Sequence, residues 1–297
     1  MRINHNDQDQ RKISVVIATL GGDMLSDTIS ILNKGSIRPD EILICIPEKF
    51  KNAVPRDLPK NVRLVITGFM GQVSQRIAGF KEVKNSFVFQ MDDDVHLDSR
   101  ALEILKDGIS ELGEFSSISP ALINRSTNQS VYKNSRISSL ASMIYYFCIS
   151  GSVKPMQGSI LGCGIGLGYS PVKDDPTFMP TEWVPGGCVM HNSVNLIYEE
   201  FYPFQGKAFC EDLIHSYLLT KNGVKLFIAK NATASIIVDD PCIFDIKHFL
   251  LYLTQDFRAR NYFLSLKKLP KFRMLIFYFL QVLIYLQKKS KFKRFYP

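Results

Sequence analysis

Four short apolar runs within the first 91 residues constrain the fold more than any other feature of this chain. Ile13–Ala18, Glu41–Ile46, Val62–Thr67 and Phe87–Met91 read as buried strands, too short for helices and bounded by turn residues. Apolar spacing predicts helices over Met24–Lys34 and Gln72–Val83 between them. Strand and helix in alternation build βαβ units, so the expected class is α/β with a central, mostly parallel sheet flanked by helices. Beyond this array, Ser99–Leu112 predicts an amphipathic helix, with Leu102, Leu105, Ile109 and Leu112 on one face. Phe209–Asn222 predicts another, closed by the Asn222-Gly223 pair, and Val224–Ala229 a further strand. Phe244–Leu266 reads as helix, Pro270 starts a new segment, and Met274–Leu286 is apolar apart from Gln281.

From 124 to 180 the pattern dissolves into Ser, Asn, Gly and Pro around one apolar stretch, Leu140–Ile149, as in a long insertion over the sheet. Gly162, Gly164, Gly166 and Gly168 alternate there. No strand precedes them and no helix follows, so a flexible loop fits better than a dinucleotide fingerprint. A length of 297 residues suits one large domain or a domain with an appendage. The net charge of +8 resides in the tail: eleven Lys and Arg and no acid lie from Phe257 onward. Removing those eleven from 36 leaves 25 basic residues against 28 acidic ones, so no nucleic-acid groove is expected. Six scattered cysteines without a C-x-x-C pair argue against zinc or a disulfide framework and suit a reducing cytoplasm. The polar segment 1–12 has no apolar leader core and is expected to fray.

The chemistry concentrates in acidic motifs. Asp92, Asp93 and Asp94 end the fourth apolar run. In an extended chain Asp92 and Asp94 point the same way. Two crowded carboxylates call for a proton or a cation, and hard oxygen ligands suit Mg²⁺ or Mn²⁺. Strand carboxyl ends are also where open α/β sheets bind ligands. The competing reading is a solvated turn leading into the next helix. Glu211-Asp212 opens the helix after Phe209, where the helix dipole favours carboxylates and where a general base would also serve. Arg76 lies on the helix before the acidic strand, free to meet a phosphate, a base edge or a carboxylate. Arg258 and Arg260, with Gln255, are similar candidates for diphosphate contacts. Pro185-Gly186-Gly187 allows close backbone approach to a ligand, or simply a turn.

Several of these segments, in order, resemble the family-2 glycosyltransferases of the GT-A fold. They are Ser14-Val15-Val16-Ile17-Ala18-Thr19, Gly71-Gln72-Val73-Ser74-Gln75-Arg76 and Phe89-Gln90-Met91-Asp92-Asp93-Asp94-Val95, then Trp183-Val184-Pro185-Gly186-Gly187-Cys188 and Phe209-Cys210-Glu211-Asp212. The likeness covers roughly residues 12–240 and is greatest to bacterial enzymes that build surface polysaccharides. It implies a catalytic domain over 13–243, with 124–180 as insertion and acceptor region, and C-terminal helices over 244–297. It implies a nucleotide-sugar donor, a Mn²⁺ or Mg²⁺ cofactor, and a glycan or lipid-linked glycan acceptor. Thr19 and Asp92 would face the nucleotide, with Asp93 beside them, and Asp94 with Asp92 would ligate the metal. Gly186 and Gly187 would line the donor-sugar and acceptor pocket, and Asp212, with Glu211 beside it, would be the base. The family's pair of aspartates after the second strand is replaced by Ile46-Pro47-Glu48, which leaves Glu48 to meet the base. The family's metal-binding histidine is missing from Thr233-Ala234-Ser235-Ile236; Asp239, Asp240 and the more distant His248 are the nearby substitutes. Gln255 and Arg258 partly match the Q-x-x-R element of processive relatives, but the following tryptophan is missing, which implies a non-processive enzyme.

The apolar stretch 274–286 is about 20 Å long as a helix, short of a ~30 Å hydrocarbon core. Lys267, Lys268, Lys271 and Arg273 precede it; Lys288, Lys289, Lys291, Lys293 and Arg294 follow, with aromatics between. Such a segment suits peripheral attachment to the inner face of the cytoplasmic membrane, or packing on the catalytic domain or a partner chain. Two other functions use related parts. A sugar nucleotidyltransferase needs a basic Gly-rich loop after the first strand, and Leu20-Gly21-Gly22-Asp23 has no basic residue. A non-catalytic glycan-binding or scaffold relative would have no need of both acidic pairs.

Overall fold

The computed structural model describes residues 12–132, 139–204, 207–238 and 246–295, with side chains through 287. The expected alternation is present at its start: β1 (Ile13–Ala18), α1 (Asp23–Lys34), β2 (Glu41–Pro47), β3 (Val62–Thr67), α2 (Gln72–Phe80) and β4 (Phe87–Asp92). These strands lie in the order β3-β2-β1-β4, all parallel, with Ala18 level with both Cys45 and Asp92. β1 and β2 are buried along their whole length, which is why they read as unbroken apolar runs. Ile13, Val15 and Ile17 pack toward α1, while Val16 packs with Phe80 of α2 on the other face. Gly79 of α2 lies close on the sheet. A Cβ there would fall 2.5 Å from Cys45 Sγ and 2.6 Å from Val16 Cγ1. That contact sets α2 low over β1 and β2 and carries its first turn to the strands' carboxyl ends.

The sheet continues from β4 through β9 (Cys188–Asn192), β6 (Ser116–Asn124) and β10 (Lys225–Ile236) to β5 (His96–Leu97). β9 is antiparallel to both β4 and β6, whereas β6 and β10 are parallel. Two short strands, β7 (Gln129–Ser130) and β8 (Phe178–Thr181), add to β6 and β10. The helices α3 (Ala101–Leu112), α4 (Leu140–Ser150), α5 (Glu211–Lys221), α6 (Ile246–Lys267) and α7 (Lys271–Phe295) complete the described strands and α-helices. β6 escapes sequence reading because its face is rich in serine and Pro120 interrupts it. Proline brings no N–H to a ladder, and the β6–β10 register shifts just past Pro120, between Ala229 and Thr233.

The described part of the 124–180 segment is more ordered than its composition suggests. β8 joins the sheet, and the alternating glycines form a tight hairpin rather than a flexible loop. Leu161 N–H donates to Ile165 O at 2.8 Å, and Gly158 and Leu167 close the ladder around it. Each glycine fits against a large neighbour: Gly162 against Arg273, Gly164 against Leu264, Gly166 against Trp183 and Gly168 against Tyr132. Their spacing therefore records close packing and not a phosphate cradle.

The C-terminal helices pack on the sheet domain. Ala259, Phe263 and Leu264 of α6 and Met274 and Tyr278 of α7 share a core with Trp183, Leu213 and Ile214. On its other flank α7 meets α4. Arg273 donates to the Phe147 and Cys148 carbonyls at 2.7 and 3.0 Å, closing the end of α4, and Lys267 pairs with Glu182. Among the described residues no helix is long and apolar enough to cross a membrane.

Candidate active site

The carboxyl ends of β1 and β4 are level, so the residues just past them meet. The Thr19 hydroxyl donates to the Asp93 carboxylate and accepts from Gly21 N–H at 2.8 Å; Thr28 donates to the Asp93 carbonyl at 2.6 Å. These bonds fix the acidic turn from the β1 side. From the α2 side, Gln72 Nε2 and an Arg76 terminal nitrogen both donate to Asp92 Oδ1, at 2.6 and 2.5 Å. Gln75 donates to the Thr19 and Cys45 carbonyls, satisfying the ends of β1 and β2 together. The Asp94 carboxylate is left without a side-chain donor among the described residues, while its carbonyl accepts from Arg125 at 2.6 Å. Burial pushes the Asp94 carboxyl up, and the Asp92 and Asp93 charges add to the rise. Burial also raises Asp93, against the Thr19 hydrogen bond. Such crowding favours a cation beside Asp94.

The second acidic motif is joined to the first through the protein interior. Cys210 adopts a left-handed backbone, φ 56°, and starts α5 with Glu211 turned inward. Arg76, 2% exposed, donates its other terminal nitrogen to Glu211 Oε1 at 2.9 Å. One guanidinium thus ties β4 to α5. Burial disfavours that cation, but the Glu211 and Asp92 charges outweigh burial and hold it charged. Burial lifts the Glu211 pKa to about 7; Arg76 opposes the rise, and Asp212 and Asp92 add to it. Asp212 is half-buried and faces the cleft, its carboxyl also raised by burial.

Gly186 and Gly187 are required for the acids to come this close. A Cβ on Gly186 would lie 2.3 Å from Glu211 Oε2, and one on Gly187 2.4 Å from Asp92 Oδ2. Their carbonyls accept from Gln90 Nε2 at 2.5 Å and Asp92 N–H at 2.9 Å, so backbone holds them between the two motifs.

Above this floor lies a cleft with two lobes. One, about 610 Å³, is lined by Thr19, Gly21, Asp93, Met70 and Phe204. The other, about 400 Å³, is lined by Gly186, Gly187, Glu211, Asp212, Tyr252 and Asp256. Gln72, Asp92, Asp94 and Lys207 line both. The structure therefore brings together Thr19, the three aspartates, both glycines and the Glu211-Asp212 pair. Four other candidates stand elsewhere. Arg76 lies beneath the cleft, engaged by carboxylates. Glu48 is exposed in a short turn, pairs with Lys51 and lines neither lobe. Arg258 is exposed beside a small cavity of about 150 Å³ with Gln255. Arg260 is half-buried and paired with Asp256. Gln72, Lys207 and Asp256 went unread. Gln72 lay within a recognised motif, and Asp256 carried a signal in its i,i+4 spacing to Arg260. Lys207 sits in an irregular loop that has no period to betray it.

No group of three or more His, Cys, Asp or Glu that could hold a metal occurs among the described residues. Exposed His248 on α6 joins no such group, and Asp239 and Asp240 lie outside the described residues. The donor set still fits Mg²⁺ or Mn²⁺, which commonly take one or two carboxylates and complete their shell with water and substrate phosphate. Asp94 has no side-chain donor among the described residues, and Asp92 takes its Gln72 and Arg76 hydrogen bonds on Oδ1.

No protein-family model matches the sequence, and no curated protein matches it. Among solved structures the chain is similar to S. aureus TarS 1–349, with a TM-score of 0.43 and 13% identity over 76% of this chain and 60% of that one. It is also similar to GalNAc-T7 with UDP, GalNAc and Mn²⁺, with a TM-score of 0.54 and 15% identity over 85% of this chain. The chain spans 50% of that protein's length. The fold is GT-A, a mostly parallel α/β sheet flanked by helices.

Proposed function

We propose that the protein is an inverting, metal-dependent glycosyltransferase, moving a sugar from a nucleotide-sugar donor to a hydroxyl of a glycan or lipid-linked glycan during bacterial surface polysaccharide synthesis. The observation that carries this reading is two acidic motifs, Asp92/Asp94 and Glu211-Asp212, bound to one buried arginine and facing one cleft. The GT-A fold supports it, as does its likeness to a structure holding UDP, GalNAc and Mn²⁺. Thr19, Asp92 and Asp93 face the lobe assigned to the nucleotide. Gly186, Gly187 and Asp212 line the lobe assigned to the transferred sugar and the acceptor.

Asp94 and Asp92 would hold the metal, which when bound neutralises charge on the departing diphosphate. Asp212 is the base: it accepts the acceptor hydroxyl's proton as that oxygen attacks the anomeric carbon and the carbon–diphosphate bond breaks. Glu211, occupied by Arg76, orients the start of α5. Single displacement inverts the anomeric centre. Asp212→Asn should lower donor turnover by roughly 10²–10⁴-fold while nucleotide binding persists. Turnover at the wild-type rate would refute the assignment.

The division into a catalytic domain over 13–243 and a helical extension over 244–297 belongs to this reading. So does attachment to the cytoplasmic membrane's inner face. α4 exposes Leu140, Ile144 and Phe147, and α7 exposes Phe272, Leu275, Phe279 and Leu286, on faces turned from the core. Apolar side chains beside a basic segment suit an anionic lipid surface. Phe279→Glu with Leu275→Glu should abolish flotation with anionic liposomes; undiminished flotation would sink the attachment.

A further inference from the structure

We infer that Lys207 grips the donor's diphosphate, an inference that rests on the glycosyltransferase reading. The charge of the cleft motivates it. Among the described residues its two lobes are lined by six carboxylates, Asp92, Asp93, Asp94, Glu211, Asp212 and Asp256, and by one basic side chain, Lys207. A nucleoside diphosphate entering that field is repelled unless cations offset it. A metal held by Asp94 would offset part of the field.

The nearby arginines cannot supply the rest. Arg76 is buried and bonded to Asp92 and Glu211. Arg260 is bonded to Asp256, and Arg125 to the carbonyls of Asp94 and Ser235. Lys207 is exposed, lines both lobes and the small cavity beside Arg258, and stands four residues before Glu211. Its position at the junction of the lobes coincides with Asp92 and Asp94, where sugar and nucleotide would join. An ammonium is a compact point charge with three donors, suited to phosphate oxygens. As the anomeric C–O bond breaks, its electron pair stays with the β-phosphate oxygen. Lys207 meets that charge and remains protonated, while the acceptor proton goes to Asp212.

The test is calorimetric titration with UDP, GDP, CDP and dTDP in Mn²⁺, together with the matching nucleosides, on wild type, Lys207→Ala and Lys207→Arg. Lys207→Ala should weaken the tightest diphosphate about tenfold or more, leave its nucleoside within about twofold, and be largely rescued by Lys207→Arg. Because the side chain is exposed, thermal unfolding of the variants should match wild type. Equal diphosphate affinity in wild type and Lys207→Ala would overturn the role of Lys207 and leave the transferase reading intact. Failure of wild type to bind any of the four diphosphates would overturn that reading, and this inference with it.

Discussion

Two carboxylate-bound arginines do similar chemistry in different regions, and the contrast separates the part of this molecule built for reaction from the part built for assembly. Arg76 joins two carboxylates from separate elements, Asp92 at the end of β4 and Glu211 at the start of α5, both bordering the cleft. Arg260 binds Asp256 one turn away on its own helix, with the Gly164 carbonyl of the glycine hairpin and the Tyr278 hydroxyl of α7. The first sets the spacing of two reactive motifs. The second fastens two later segments to α6. A buried ion pair is poor evidence of net stability, but it is strong evidence of what is held in register.

The largest effect should follow from Arg76→Met. It leaves Glu211 and Asp92 without their cation, costing about 3–5 kcal/mol. Misplacing both motifs should also lower donor turnover at least about 100-fold. Urea unfolding and donor hydrolysis measure the two. A variant that loses stability and keeps turnover would erase the distinction, making Arg76 a fastener like Arg260. Arg260→Met should cost somewhat less, about 2–4 kcal/mol, because Tyr278 still donates to Asp256. Its kcat, measured well below the unfolding temperature, should stay at the wild-type level. A parallel fall in kcat would show that the hairpin and α7 shape the reaction.

What the sequence disclosed follows the same division. The parallel half was legible because its strands are short, apolar and separated by helical periods, and β1 and β3 begin and end where expected. The acids were legible because carboxylates at a strand end and a helix start are local patterns. Arg76 was visible, but its role was not, since Glu211 lies 135 residues away and no local spacing announces their contact. β6 was hidden by its serines and Pro120, and the glycine hairpin by the tertiary origin of its packing. Arg260 suggested a ligand contact only while Asp256 beneath it went unweighed.

The titration of Glu211 gives a finer test. Its folded pKa of about 7 lies above the ordinary 4.5, so the folded state binds the extra proton between those values. Stability from this group is therefore complete below about pH 4.5 and is lost as pH rises through 7. The difference should be of order 3 kcal/mol. Unfolding free energies at pH 5 and pH 8 in a metal chelator should show wild type losing that much more than Glu211→Gln. Equal losses would mean that Arg76 holds Glu211 ionised throughout, and the two arginine sites would then differ in placement alone.

The smallest expected change probes the fastening side. Tyr278 donates to Asp256 Oδ2 at 2.5 Å and accepts from Arg260 Nε at 3.2 Å, while its ring packs with Phe257 and Phe277. Tyr278→Phe keeps the ring and removes one bond to a carboxylate still held by Arg260, so about 1–2 kcal/mol should be lost. The urea midpoint should fall with an unchanged slope, since no surface is newly exposed. Combined with Arg260→Met, the two losses should not add, because both residues satisfy the same carboxylate. Strict additivity would break the picture of one clamp. Non-additivity would establish that the hydroxyl of α7 and the guanidinium of α6 share Asp256, a residue whose carboxylate borders the same lobe as Asp212.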